Sequence, residues 1–183
     1  MCKMVGVPVH AFIDESGRDR QYLICVAVVD PTKLAPVRKA LSALLLPGQR
    51  ELHFKTEKPP RRRILADRIA RLPVTTLIYQ TKSTRKTEER DRQRCLEQAV
   101  HDLLDLRAHR LVLDTRDLRD AYDRTTIYRV FGLRGLATEL PYEHTDSKLA
   151  PLLWIPDSVA WCYGAGGDWR RRILPVVSKV IEV

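Results

Sequence analysis

Three aspartates follow apolar runs in this chain. Asp14 closes Phe12-Ile13, Asp114 closes Leu111-Val112-Leu113, and Asp157 follows Leu152-Leu153-Trp154-Ile155-Pro156. Clustered carboxylates repel one another unless a cation offsets their charge, and hard ions such as Mg²⁺ and Mn²⁺ prefer oxygen ligands. Asp14, Asp114 and Asp157 are therefore the candidate metal-ligating and catalytic residues, with Mg²⁺ or Mn²⁺ as the expected cofactor. Two such ions about 4 Å apart activate a water, position a phosphodiester and stabilise the departing oxygen. Beside them, Glu15 is a candidate second carboxylate, Glu51 a candidate ligand and His53 a candidate proton carrier.

Each of these residues also has a plain structural reading. Successive side chains of a strand point to opposite faces, so Asp14 and Glu15 share one pocket only if the strand has already turned. Glu15 also reads as a solvated acid ahead of a Ser16-Gly17 turn. Asp114 reads as a helix cap, although Asp117, three residues before Asp120, caps better. Asp157 after Pro156 has the setting of a helix N-cap, while Glu51 and His53 read as solvated residues of a polar connection.

The elements that must position these residues follow from periodicity. Val9 to Ile13 and Tyr22 to Val29 read as a hairpin around Ser16-Gly17-Arg18-Asp19. Leu34, Val37, Leu41, Leu44 and Leu45 recur at helical spacing, which predicts a helix over 32–46. A short extended piece at 51–54, a basic helix over 60–72 and a strand over 74–79 follow. Leu96, Ala99, Val100, Leu103 and Leu104 form one face of a helix over 85–107, leading into a strand over 110–113. A helix is expected over 117–136. One or two more are expected over 157–173, broken at Gly164-Ala165-Gly166-Gly167, and 176–183 reads as strand or helix. The succession is that of a mixed sheet covered by helices, an α/β fold.

Composition narrows the class. With 183 residues, 44% hydrophobic and 30% charged, the chain is expected to form one domain with a real core. Its apolar runs fall well short of the roughly 20 residues a membrane helix needs. The opening Met1-Cys2-Lys3-Met4-Val5-Gly6 lacks the pattern of a secretion signal, so a cytoplasmic protein is expected. Cys2, Cys25, Cys95 and Cys162 are scattered and show no zinc-ligand spacing. The glycine cluster lacks the lysine and hydroxyl of a phosphate loop, and Ser16 lacks the glycines of a nucleophile elbow. Trp154, Trp161, Tyr163 and Trp169 read as core rather than as a base-stacking surface.

The net charge is +9, with the excess in Arg61-Arg62-Arg63, in the stretch holding Lys82, Arg85 and Lys86, and in Arg170-Arg171-Arg172. Such clusters suit a polyanion, because each neutralised phosphate releases counterions. The same stretches also read as solvated helix faces, with Glu88, Glu89 and Asp91 pairing locally with arginines.

Phe12-Ile13-Asp14-Glu15-Ser16-Gly17, Glu51-Leu52-His53, Asp114 and Asp146-Ser147-Lys148 with Leu152 to Asp157 together resemble the bacterial domain-of-unknown-function 3800 family. The resemblance spans most of the chain. The late motif departs from the family pattern at Trp154, where Gln is frequent, and at Pro156, where Ala is frequent. The resemblance implies a ribonuclease H-like fold in which Asp14, Asp114 and Asp157 hold divalent metal. It also implies a metal-dependent nuclease acting on DNA or RNA. A non-catalytic nucleic-acid-binding module of the same fold and a regulatory protein-interaction domain are the alternatives.

Overall fold

The first strand outlasts its apolar run. In the computed structural model, which describes residues 8–18, 20–116, 118–135 and 140–183, β1 (His10–Arg18) pairs antiparallel with β2 (Gln21–Val29) along its whole length. Ser16 and Gly17, expected in a turn, are extended and stand opposite Leu23 and Tyr22. Asp14 therefore lies in mid-strand rather than at a strand end. Asp19 of the expected turn lies outside the described residues.

Beyond β2 lie β3 (Thr75–Lys82), antiparallel to it, and then β6 (Val177–Glu182), parallel to β3. On the other side β4 (Arg110–Asp114) runs parallel to β1, and β5 (Tyr142–Thr145) parallel to β4. The six-stranded sheet has the order β5-β4-β1-β2-β3-β6. The segment 176–183, left open between helix and strand, is thus mostly strand.

Helices cover both faces. One core joins Phe12, Leu23 and Cys25 of the sheet to α1 (Leu34–Ser42), α2 (Pro59–Ile69), α5 (Trp154–Ala165) and α6 (Gly167–Ile173). The other joins Ile13, Ile24 and Val26 to α3 (Glu88–Asp105) and α4 (Asp120–Leu133). Strand alternation distributes these contacts: Phe12 and Asp14 face α5, whereas Ile13 and Glu15 face α3 and α4. The break between α5 and α6 falls on Gly166 and Gly167, at φ 71° and 52°, a left-handed region that glycine enters without steric cost. Cys25, Cys95 and Cys162 are buried free thiols, and Cys2 lies outside the described residues. Among those residues no helix is long and apolar enough to cross a membrane.

Unequal strand lengths create the site. The ladder between β1 and β4 runs from His10 opposite Arg110 to Ile13 opposite Leu113, whereas β1 stays paired with β2 as far as Arg18. Past Ile13 the β4 side of β1 is therefore unpaired. A crevice opens at the carboxyl end of β4, beside the free edge of β1; the carboxyl ends of parallel strands are where open α/β sheets bind ligands.

Candidate metal centre

A cavity of about 790 Å³ occupies this crevice, with Asp14, Asp114, Asp157, Glu15 and His53 among its lining residues. Asp14 is buried, and its Oδ1 accepts from the Glu15 backbone N–H at 2.7 Å and from Arg116 at 3.2 Å. Burial raises its carboxyl well above the usual range. Asp157 and Asp114 push the same way, while Arg116 opposes them. Asp114 ends β4 and is raised to about 6, again chiefly by burial. Arg116 and the Ser147 backbone N–H pull it down, and Asp146 and Asp157 add to the rise.

Asp157 does not cap α5. The helix begins at Trp154, after a 3₁₀ turn over Pro151–Leu153, and no side chain caps it. The Oδ2 of Asp157 instead accepts from the Phe54 backbone N–H at 2.8 Å, and His53 Nδ1 stands 3.8 Å from the same oxygen. Burial raises the Asp157 carboxyl as well, with Glu51 adding to the rise. Trp154 and Pro156 fit this entry. The buried Trp154 indole donates to the Ser147 carbonyl at 2.9 Å, and Pro156 lies in the first turn, where its missing N–H has no helical partner to lose.

The other candidate acids have different surroundings. Glu51 is outside the cavity lining, held by Ser147 Oγ at 2.8 Å and Lys148 at 3.8 Å. Glu15 points to the opposite face of β1 from Asp14, yet both border the cavity. No turn of the strand brings this about, contrary to the sequence expectation. The crevice opens along the edge of β1, so both faces reach it. Glu15 is no solvated turn residue: it pairs with Arg92 at 2.6 Å, Arg116 at 2.8 Å and Arg119 at 3.4 Å. Arg92 is itself buried and grips both carboxylate oxygens of Asp123.

Arg92, Arg116 and Asp123 escaped the sequence reading. Arg92 had a signal, because it precedes Leu96, Ala99 and Leu103 at i+4, i+7 and i+11, on the apolar stripe of α3. The turn after β4 is organised by Asp120, which accepts from Thr115 Oγ1 and the Arg116 N–H, each at 2.8 Å. Asp114 takes no part in capping α4, and Asp117, the expected cap, lies outside the described residues.

A second acidic group sits behind Glu15. Asp120, Asp123 and His144 each offer a ligand atom, all within 4.8 Å of one another, a spacing that could hold a cation. The aspartate trio of the cavity is wider than that. The oxygens of the second group are occupied, however: Asp123 by Arg92 and by His144 Nε2 at 3.2 Å, and Asp120 by the turn. Its arrangement is that of a brace for Arg92.

The basic clusters divide in the fold. Arg85 lines the cavity. Arg62 donates to the Phe54 and Lys55 carbonyls and stacks 4.5 Å over Trp161, a cavity residue that Arg18 also approaches at 4.7 Å. Arg61 is tied to the Leu44 carbonyl, and Arg63 lies over Trp169. Lys82 and Lys86 are exposed and outside the cavity lining. Arg170 stacks on Tyr163, Arg171 pairs with Asp168, and Arg172 pairs with Asp67 and Asp168. Trp154 and Tyr163 are core, as expected, but Trp161 and Trp169 are only half-buried. The phenol oxygen of Tyr22, another cavity residue, is buried with no hydrogen-bond partner among the described residues.

No protein-family model matches the chain, and no curated protein does. Among solved structures the chain is similar to the RNase HII of the PCNA:RNase HII complex from Archaeoglobus fulgidus. The TM-score is 0.54 at 19% identity, over 83% of this chain and 69% of that one. The fold is thus ribonuclease H-like, a mixed six-stranded sheet flanked by helices.

Proposed function

We propose that the chain is a divalent-metal-dependent nuclease, hydrolysing phosphodiester bonds of DNA or RNA. One observation carries the reading: Asp14 of β1, which is buried, and Asp114 of β4 and Asp157 of α5, which are half-buried, line one cavity, each pushed toward its protonated form. Burying like charges together is costly, and a hard cation bound by oxygen donors offsets that cost. The donor set fits Mg²⁺ or Mn²⁺. The ribonuclease H-like fold, shared with an RNase HII, supports the same reading.

Asp14, Asp114 and Asp157 would hold the metal, which when bound supplies a polarised water and offsets charge on the phosphate. The chain's own residues supply the rest. The Phe54 N–H fixes the Asp157 carboxylate. His53, exposed at the wall beside Asp157, is placed to carry a proton to or from the cavity. Arg18, Lys55 and Arg85 line the cavity as cations for phosphates on either side of the reacting one.

Incubation of the protein with labelled single- and double-stranded DNA and RNA, with Mg²⁺ or Mn²⁺ and with a chelator, tests the proposal. Cutting that needs the metal supports it and identifies the substrate. Salt-sensitive binding without cutting would instead make the chain a non-catalytic nucleic-acid-binding module.

A further inference from the structure

Arg116 stands where a cation is needed. It follows Asp114 by two residues, just past the end of β4, and its guanidinium pairs with Asp14 at 3.2 Å and Glu15 at 2.8 Å. It is held differently from Arg92. Arg92 has a side chain 5% exposed and grips both oxygens of Asp123, so its charge is locked. The Arg116 side chain is 40% exposed. Its backbone is anchored independently of these ion pairs, through its N–H to Asp120 and its carbonyl to the Arg119 N–H. The guanidinium can therefore leave while the turn stays in place.

The two acids would respond unequally to its departure. Glu15 keeps Arg92 and Arg119, whereas among the described residues Arg116 supplies the guanidinium paired with Asp14. A metal at Asp14 and the guanidinium of Arg116 thus compete for the same negative charge.

Resting on the reading of Asp14, Asp114 and Asp157 as a metal site, we infer that Arg116 is its internal counter-ion. It neutralises Asp14 in the metal-free protein and is displaced when a divalent cation binds. Arg116 then stabilises the empty site and weakens its affinity for metal, so that removing it has opposite effects on the two. An arginine that only supports the fold, or that helps to organise the ligands, would lower metal affinity when removed.

The test is a titration of Mn²⁺ alone into wild type, Arg116→Gln and Arg116→Lys, followed by the resonance of unbound Mn²⁺. The Gln variant is expected to bind roughly 10-fold tighter or more, the equivalent of one lost charge-assisted contact. The Lys variant should fall between it and wild type, since a point charge replaces a two-pronged contact. If the Gln variant does not fold, the Lys variant carries the test. Wild-type binding with equal or weaker binding by the folded variants overturns the inference and leaves the metal site standing. Absence of saturable binding in every protein overturns both.

Discussion

Asp14 and Glu15 are consecutive residues of β1 that face opposite sides of the sheet, yet one guanidinium, that of Arg116, pairs with both. This is possible because the ladder between β4 and β1 covers only the first four residues of β1 and leaves the rest of that edge open. Truncation to Arg116→Gln should lower the Tm of the chelator-treated protein, because buried carboxylates lose their counter-charge. Mn²⁺ should raise the Tm of the variant more than that of wild type. Parallel melts in chelator and in Mn²⁺ check both expectations.

Arg92 lies deeper, with Glu15 and Asp123 as buried partners. Removing Arg92 strips the buried Asp123 of its guanidinium and leaves it beside His144, while Glu15 keeps Arg116 and Arg119. Arg92→Ala should therefore destabilise the fold by about 3–5 kcal/mol. Urea unfolding followed by circular dichroism measures the loss; a change below 1 kcal/mol would show that the network is dispensable.

The raised aspartates make stability depend on pH with a definite sign. Asp114 takes up its proton at about 6 in the fold, against 3.8 as its ordinary value. Between those values the native state holds more protons than the unfolded one, so its contribution is lost as pH rises through the window. Asp14 and Asp157 act with the same sign, while His10, held below its ordinary value, acts oppositely near 6.5. Metal-free Asp114→Asn should lose less stability than wild type between pH 4 and 6, and saturating Mg²⁺ should flatten the wild-type curve near neutral pH. Chemical denaturation across that range decides it.

The placement of the basic residues separates phosphate contacts from structural charges. Arg85→Gln and Lys55→Gln, both at the cavity, should each weaken binding to a non-cleaved oligonucleotide and reduce the salt slope by about one. Arg172→Gln should leave that slope unchanged, because Arg172 already pairs with Asp67 and Asp168. Binding isotherms at several salt concentrations distinguish the two.

Among the described residues the buried Tyr22 hydroxyl, which lies near Glu15, has no hydrogen-bond partner of good geometry. Tyr22→Phe should leave stability unchanged or raise it by up to about 1 kcal/mol, since an unpaired buried hydroxyl contributes desolvation cost and no bond. Urea midpoints of the two proteins measure the difference.

Sequence periodicity located most elements because their apolar faces are strong: the stripe of α3 and the run Tyr22 to Val29 leave little ambiguity. It missed β5, whose Tyr-Glu-His-Thr sequence lies at a sheet edge and buries too little to show a pattern. Ser16-Gly17 read as a turn because local preference favours one, but pairing with Leu23 and Tyr22 prevails. The three aspartates were visible because acid after an apolar run is unusual. Their arginine partners were not, since Arg116 and Arg92 lie among many other charges and only the fold brings them to Glu15.

The most direct test of the metal-centre account is the cleavage rate of folded Asp14→Asn and Asp157→Asn proteins beside wild type, on whichever nucleic acid wild type cuts with Mg²⁺ or Mn²⁺. The account predicts that both variants, folded by circular dichroism, lose roughly 100-fold or more of the rate. Cleavage that persists in both variants at the wild-type rate would contradict it.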